Sequence, residues 1–376
     1  MTTPFRLHRL VCEPIELALS TPLVTSAGSV HARKLLMIRA EVTIDGTNEA
    51  TGVRGFGEAA PLPGWSRETL DDCAEFVGSL DAERDFDSVG RLDEVFPGLG
   101  RLPSLRFGVE FALLDALARH AGKPLREFLV ALDGRDVSPL DAVPVQYTLG
   151  ATSVEQSISA ARAALEAGYE CIKLKVGRQA PAEDIARIRK LHRAVPDAAL
   201  RLDANGAWTL TEALSVARSL ADCGVDLIEQ PVARDDITAL VELADKSPVD
   251  IAADESCVPT SRARRLIDAR QIDAVVLKPT ALGGLLPGAE LARLALKRGV
   301  RVVWSTLLES AVGRSAVTQL AASLPEIGGP HGLATGPWFA ADTAPDEDKL
   351  SGGRLVLRDG PGLGFEPQFI PRREAR

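Results

Sequence analysis

Short apolar runs that each end in a charged residue recur through the middle of the chain. The stretches CIKLK, ALRLD, VDLIE, DIAAD and AVVLK end at Lys175, Asp203, Glu229, Asp254 and Lys278. The intervals between these residues are 28, 26, 25 and 24 positions, enough for one strand, one helix and two short loops. The pattern predicts a repeated β/α unit with one charged side chain at the C-terminal end of each strand. In a barrel of parallel strands those ends meet at one mouth, where active sites lie.

Helical segments separate these runs. In VEQSISAARAALEAG the apolar residues Val154, Ile158, Ala161 and Leu165 form one stripe, as in an amphipathic helix. At least seven strand-plus-helix units follow one another from about residue 144. We therefore predict an α/β fold with a (β/α)7β TIM-like barrel over residues 141–335. On pattern alone, an open doubly wound parallel sheet remains an alternative.

The regions on either side of the repeat have a different pattern. Residues 1–140 lack the alternation of strand and helix. Their pattern predicts an α+β N-terminal capping domain, with a strand at 34–44 and a long helix at 104–122. Ser66 stands where a helix N-cap is expected. Residues 336–376 contain the turn-rich stretch SGGRLVLRDGPGLG, which predicts a C-terminal segment that returns to the capping domain.

Composition narrows the class of protein. The 376 residues are 45% apolar and 25% charged, with a formal net charge of −9, which argues against nucleic-acid or anionic-membrane partners. The five cysteines are scattered without a CxxC motif, as expected of reduced cytosolic thiols. No signal-peptide or transmembrane pattern is present. We expect a cytoplasmic protein, and the sequence leaves its oligomeric state open.

Strand alternation places the charged side chains on one face. Lys173 and Lys175 lie opposite the apolar residues of CIKLKV, and Arg201 shares a face with Asp203 in ALRLD. Since the apolar faces pack on the helices, the charged faces point into the barrel. We expect Arg201 to balance the carboxylates there.

Three carboxylates at successive strand ends predict a metal site. Asp203, Glu229 and Asp254 supply hard oxygen ligands, and no His or Cys joins them. This donor set favours Mg²⁺, with Mn²⁺ as a possible substitute. The alternative interpretation is a set of salt bridges with the neighbouring lysines.

Lysines beside such a site predict acid–base chemistry. Burial and the nearby Lys173 would lower the pKa of Lys175, which could then act as a general base. A divalent cation stabilises the charge that forms when a proton is removed next to a carboxylate. We therefore predict a small-molecule carboxylate substrate. Glu255 and Glu309 are expected to be partners of the lysines rather than acids.

The motifs KLK, LDAN, IEQP, ADES and LKP occur in that order and resemble those of the enolase superfamily, in its muconate-lactonizing-enzyme branch. The resemblance implies that Lys175, the second lysine of the KxK motif, faces Lys278 across the substrate. It also implies that Asp203, Glu229 and Asp254 bind Mg²⁺.

Three further stretches, GEAAPLPGWSRETL, RLDANGAWT and VVWSTLLESAVG, resemble the o-succinylbenzoate synthases of that branch. This implies a lyase of menaquinone biosynthesis that dehydrates 2-succinyl-6-hydroxy-2,4-cyclohexadiene-1-carboxylate in the syn sense. Ser305 and Thr306 would contact the substrate. HGLATGP lacks the DxD pair of the dipeptide epimerases. The alternatives are an N-succinylamino acid racemase or another epimerase of the branch, and a non-catalytic barrel.

Overall fold

The computed structural model describes residues 4–25, 28–44, 52–81, 83–150, 153–345 and 349–368. The outermost parts of the two predicted terminal regions, residues 1–3 and 369–376, lie outside these ranges, as do residues 346–348. No helix in the described ranges is long and apolar enough to cross a membrane.

A four-stranded antiparallel sheet in the order β3-β2-β1-β4 forms the N-terminal part of the molecule. Its strands are β1 (Phe5–Thr25), β2 (Gly28–Ile44), β3 (Val53–Ala59) and β4 (Arg84–Phe86). The predicted strand at 34–44 is part of β2. The sequence pattern missed β1 because a register shift follows Leu7, so the buried positions change from Phe5 and Leu7 to Leu10 and the period of two is broken.

Four helices accompany this sheet: α1 (Leu70–Ser79), α2 (Leu92–Val95), α3 (Pro103–His120) and α4 (Leu125–Leu132). The predicted helix at 104–122 corresponds to α3. The predicted N-cap is wrong, because Thr69 caps α1 by accepting a hydrogen bond from Asp72 N. Ser66 instead accepts one from Leu62 N within the preceding loop.

Seven parallel strands follow in the spatial order β12-β11-β10-β9-β8-β7-β6. They are β6 (Tyr147–Leu149), β7 (Cys171–Lys175), β8 (Ala199–Asp203), β9 (Val225–Glu229), β10 (Ile251–Ala253), β11 (Ala274–Leu277) and β12 (Arg301–Trp304). Parallel bridges join His331 to Val145 and Gly332 to Ser305. This short segment thus lies between the first and last strands and closes the barrel, which excludes the open sheet.

Helices follow the barrel strands as the repeat predicted. They are α5 (Val154–Glu166), α6 (Pro181–Ala194), α7 (Leu210–Ser219), α8 (Ile237–Lys246), α9 (Thr260–Asp268), α10 (Pro279–Leu282), α11 (Leu285–Arg298) and α12 (Ala311–Ser323). Their apolar faces pack on the strands in one continuous core that also includes the N-terminal sheet. The charged ends of the strands are therefore held at one mouth.

The C-terminal segment contributes β13 (Leu350–Ser351) and β14 (Arg354–Val356). β14 pairs with β5 (Ala142–Pro144), a strand just before the barrel. Farther along, Leu363 N donates to Asp115 of α3 at 2.8 Å. These contacts agree with a returning tail, while the division at residues 140 and 335 stays a prediction.

Candidate active site

One cavity of 770 Å³ opens at the C-terminal ends of the barrel strands. All eight residues predicted from the sequence line it: Lys173, Lys175, Asp203, Glu229, Asp254, Lys278, Ser305 and Thr306. Residues 62–65, on the loop between β3 and α1, cover one side of the cavity. The site is thus formed by the barrel together with the N-terminal part of the chain.

The lysines of β7 are paired with carboxylates on the next two strands. Lys173 Nζ lies 2.8 Å from Asp203 Oδ2 and 2.7 Å from Glu229 Oε2. Lys175 Nζ lies 2.7 Å from the same Asp203 oxygen and 2.8 Å from Asn205 Oδ1. Lys173 is 10% exposed but Lys175 is 34% exposed, so of the two it is Lys175 that a substrate can reach.

Lys278 is held differently on the opposite side. Its Nζ lies 2.5 Å from both carboxylate oxygens of Asp254. It also lies 4.8 Å from the centre of the Trp65 ring, a distance at which an aromatic face stabilises a cation. Lys278 is therefore bound as an ammonium ion between a carboxylate and an indole.

Burial and nearby opposite charges shift the pKa values of Lys173, Lys278 and Asp203 in opposite directions. Burial would lower the pKa of Lys173 and Lys278, but the adjacent carboxylates raise both above the ordinary value. Burial would raise the pKa of Asp203, yet Lys173 and Lys175 bring it below its usual range. The pKa of Glu229 is raised, by burial and by the nearby Asp203. These buried lysines and carboxylates can therefore stay ionised only because their opposite charges compensate one another.

The carboxylates have the chemistry of a site for a hard divalent cation. Asp203, Glu229 and Asp254 are each almost fully buried and bring oxygen donors alone, which suits Mg²⁺. In the described residues, however, no three such side chains are grouped closely enough to hold one ion as they stand. The lysine ammonium groups lie against the carboxylates instead, so both the predicted metal site and the alternative salt bridges use the same oxygens.

A second layer of polar side chains supports Lys175. Asn205, which accepts its hydrogen bond, has a φ of 44°, in the left-handed region that asparagine adopts more readily than most residues. Asn205 Nδ2 donates to Glu255 Oε1 at 3.0 Å. The other oxygen of Glu255 is buried and has no partner in the described part of the chain. A buried oxygen without a described partner beside the lysine is a feature of a site built for a ligand.

Arg33 fastens the N-terminal sheet to the cavity wall. Its guanidinium is fully buried and donates to the carbonyl oxygens of Ala60, Pro61, Leu307 and Leu308, at 2.8–3.3 Å. The first two lie on the loop between β3 and α1, and the last two follow β12. One side chain therefore fixes the two loops that meet over the substrate space.

Two predicted roles are wrong. Arg201 does not balance the carboxylates at the mouth, because its guanidinium binds Asp226 at 2.7 Å and Gln146 at 3.0 Å. Among the described residues Glu309 contacts no lysine: it accepts hydrogen bonds from Thr280 Oγ1 and from Leu307 N. Strand alternation gave the correct face for Arg201 but could not show how far along the barrel axis its long side chain extends.

Comparison with known proteins identifies the family of the chain. Residues 156–369 match the family model described as enolase C-terminal domain-like. The muconate cycloisomerase 1-2 of Acinetobacter lwoffii is 30% identical over 371 residues, which is 97% of this chain and 94% of that protein. The chain belongs to the enolase superfamily.

Other relatives place it in the muconate-lactonizing branch of the superfamily. The L-Ala-D/L-Glu epimerase of Bacillus subtilis (strain 168) is 28% identical and covers 96% of both chains. The structure of a muconate lactonizing enzyme from Pseudomonas fluorescens complexed with muconolactone has a TM-score of 0.85, with 25% identity and 98% of each chain covered. Enzymes of the superfamily generally use Mg²⁺, in agreement with the oxygen donors found here.

The residues of the site that the sequence analysis missed include Trp65, Arg33 and Arg234. Trp65 and Arg33 belong to the N-terminal region, whose approach to the barrel no local pattern records. Arg234 follows Glu229 by five positions, on the loop after β9. Because loops after barrel strands line the mouth, its position could have indicated a role.

Proposed function

We propose that this enolase-superfamily protein is an o-succinylbenzoate synthase. It would dehydrate 2-succinyl-6-hydroxy-2,4-cyclohexadiene-1-carboxylate to 2-succinylbenzoate, as a lyase. The proposal rests on the three stretches that resemble these synthases and on the different surroundings of the two facing lysines.

The difference between the lysines is the observation that carries the proposal. Lys278 is 10% exposed, binds both oxygens of Asp254 and lies against Trp65. Lys175 is 34% exposed and shares a single oxygen of Asp203. A syn dehydration needs one lysine that exchanges protons and one that stays charged, whereas a racemase needs two that alternate.

In this reaction Lys175, in its neutral form, takes the proton next to the ring carboxylate. The bond to the ring hydroxyl then breaks, and Lys175 returns the proton to the departing hydroxide, so water leaves and the ring becomes aromatic. Lys278 remains an ammonium and stabilises the negative charge of the intermediate. A divalent cation held by Asp203, Glu229 and Asp254 would lower the energy of that charge further. Ser305 and Thr306 are proposed to donate hydrogen bonds to the substrate.

The relatives suggest two other reactions of the branch. A dipeptide substrate carries an ammonium group that requires a carboxylate partner, and HGLATGP offers none. Three of the four cavity carboxylates are the candidate metal ligands. A cycloisomerase shares the one-lysine chemistry, and the 30% identity to the Acinetobacter lwoffii protein keeps muconate as the second candidate substrate.

The deciding assay mixes purified protein and Mg²⁺ with the cyclohexadiene substrate and follows the loss of diene absorbance. We expect turnover that Lys175→Ala removes. Parallel reactions contain cis,cis-muconate, an N-succinylamino acid and the dipeptide L-Ala-L-Glu. Lactone formation from muconate without dehydration of the cyclohexadiene would overturn the proposal in favour of a cycloisomerase, and α-proton exchange alone would favour an epimerase.

A further inference from the structure

Arg234 lines the cavity but takes no part in the ion pairs described above. Its guanidinium carbon lies 5.8 Å from the centre of the Trp65 ring, the same ring that contacts Lys278. The two acids that follow it are engaged elsewhere: Asp235 accepts from Arg262 at 3.1 Å, and Asp236 caps α8 through Ala239 N. Within the described residues no carboxylate pairs with Arg234. This partly buried cation thus faces the substrate space with no counter-ion in the described part of the chain.

The charges that line the cavity also favour an anionic ligand. Lys173, Lys175, Arg234 and Lys278 line it together with four carboxylates, so these charges alone balance. A divalent cation at the three candidate ligands would leave an excess of two positive charges. A substrate with one carboxylate compensates only one of them, while a dianion compensates both. Because the surroundings are poorly solvated, the difference has energetic weight.

The positions of the cations also suit a ligand with two acidic ends. Arg234 and Lys278 each lie within 6 Å of the Trp65 ring centre, so less than twice that distance separates them. One carboxylate of the ligand would lie between Lys175 and Lys278, near the candidate metal ligands. The other, at the end of a short flexible arm, would then reach the loop after β9.

We propose that Arg234, oriented by Trp65, binds the second carboxylate of a dicarboxylate substrate and so selects for it. The inference rests on the proposed function, in which that group is the end of the succinyl arm. Arg234 is a specificity residue here: it makes a charge-assisted hydrogen bond to the ligand and takes no part in proton transfer.

The test compares two ligands by titration calorimetry with Mg²⁺ present: 2-succinylbenzoate and 2-butyrylbenzoate, which lacks the distal carboxylate. We expect Arg234→Gln to weaken binding of the first roughly 10- to 100-fold, the range for a lost charge-assisted hydrogen bond, and to leave the second nearly unchanged. Arg234→Lys should fall between. The matched control is Arg264→Gln, which removes the same charge from a surface pair with Glu290 and should change neither affinity.

Equal weakening of both ligands, or no weakening of either, would overturn the role of Arg234. If the unmodified protein binds neither ligand, the proposed function fails and this inference fails with it. If it prefers the succinyl ligand through Arg234 but does not dehydrate the cyclohexadiene, the subsite stands and only the reaction is wrong. Thermal unfolding of each variant confirms that the fold is retained.

Discussion

Charged groups pair with one another at both ends of the barrel, but in different ways. At the amino end Arg201 binds Asp226, and Arg301 binds Asp226 and Asp250, at 2.7–2.8 Å. That network borders a cavity of 270 Å³. At the carboxyl end the charges border a cavity of 770 Å³; Lys173 and Lys175 share Asp203 there, and Lys278 pairs with Asp254.

The two ends differ in whether a ligand can take the place of one partner in these ion pairs. Arg201 also donates to Gln146 and to the carbonyl of Pro330, so a ligand would have to break several bonds made by a side chain that is 6% exposed. At the mouth Lys175 is partly exposed, and Glu255 has an oxygen without a described partner. Buried charge alone therefore does not identify an active site. Charge that is incompletely compensated and open to a cavity does.

The largest effect on activity is expected from metal removal, which acts only on the carboxyl end of the barrel. Chelation should abolish activity because the charge of the intermediate loses its main stabilisation, and added Mg²⁺ should restore it. Asp203→Asn should resist this restoration, while the amino-end variant Asp250→Asn should behave like the unmodified protein. Full activity in excess chelator, with metal-free protein verified by elemental analysis, would contradict the assignment of these carboxylates.

The next effect concerns the lysines. Lys175→Ala should lower kcat by about 10³-fold or more, at the upper part of the range for loss of a positioned acid or base. Lys278→Ala should lower it by about 10³-fold as well, because it removes the charge that stabilises the intermediate. Steady-state kinetics with Mg²⁺ measures this, and Lys246→Ala, which breaks only a surface pair with Glu242, is the matched control. A folded variant of either lysine that keeps a tenth of the activity would remove that residue from the mechanism.

These predictions depend on how much of the site the sequence could reveal. The spacing of Lys175, Asp203, Glu229, Asp254 and Lys278 sufficed to predict their convergence, because the β/α repeat converts chain position into position around the mouth. No such rule connects the mouth with residues from other parts of the fold.

The contacts that the sequence did not reveal are long-range. The ring of Trp65 contacts Lys278 from an N-terminal loop that Arg33 connects to the barrel. The partner of Arg201 depends on the length and rotamer of its side chain, which strand alternation does not specify. The β1 strand was hidden by a register shift that changes which positions face the core. Local periodicity predicts elements well, but contacts between distant segments depend on packing.

A smaller effect distinguishes the two lysines from each other. Lys278→Arg keeps the positive charge and cannot act as a base, and its planar group can still stack on Trp65. It should therefore retain measurably more dehydration activity than Lys278→Ala in the same kinetic assay. Equal and complete loss in both variants, together with α-proton exchange of N-succinylamino acids by the unmodified protein, would favour a racemase that uses both lysines.

The smallest effect on activity is expected at the amino end. Asp226→Asn should leave kcat within about twofold, because the network lies away from the cavity that binds substrate. It should lower the free energy of unfolding at pH 7 by roughly 2 kcal/mol, as for hydrogen bonds to a charged group. Urea unfolding measures this, with Asp250→Asn as the control because that carboxylate is more exposed, at 52% against 24%.

The same variant has a defined pH dependence. Burial would raise the pKa of Asp226, but Arg201 and Arg301 hold it below the ordinary value. A carboxyl whose pKa is lower in the folded state stabilises the protein fully above its unfolded pKa and loses that contribution as the pH falls through the folded value. The difference in unfolding free energy between Asp226→Asn and the unmodified protein should therefore be constant near neutrality and shrink below about pH 4. A difference that stays the same at low pH would contradict the stabilising role of the Asp226 charge, and a kcat that falls with stability would mean that the two ends of the barrel are coupled.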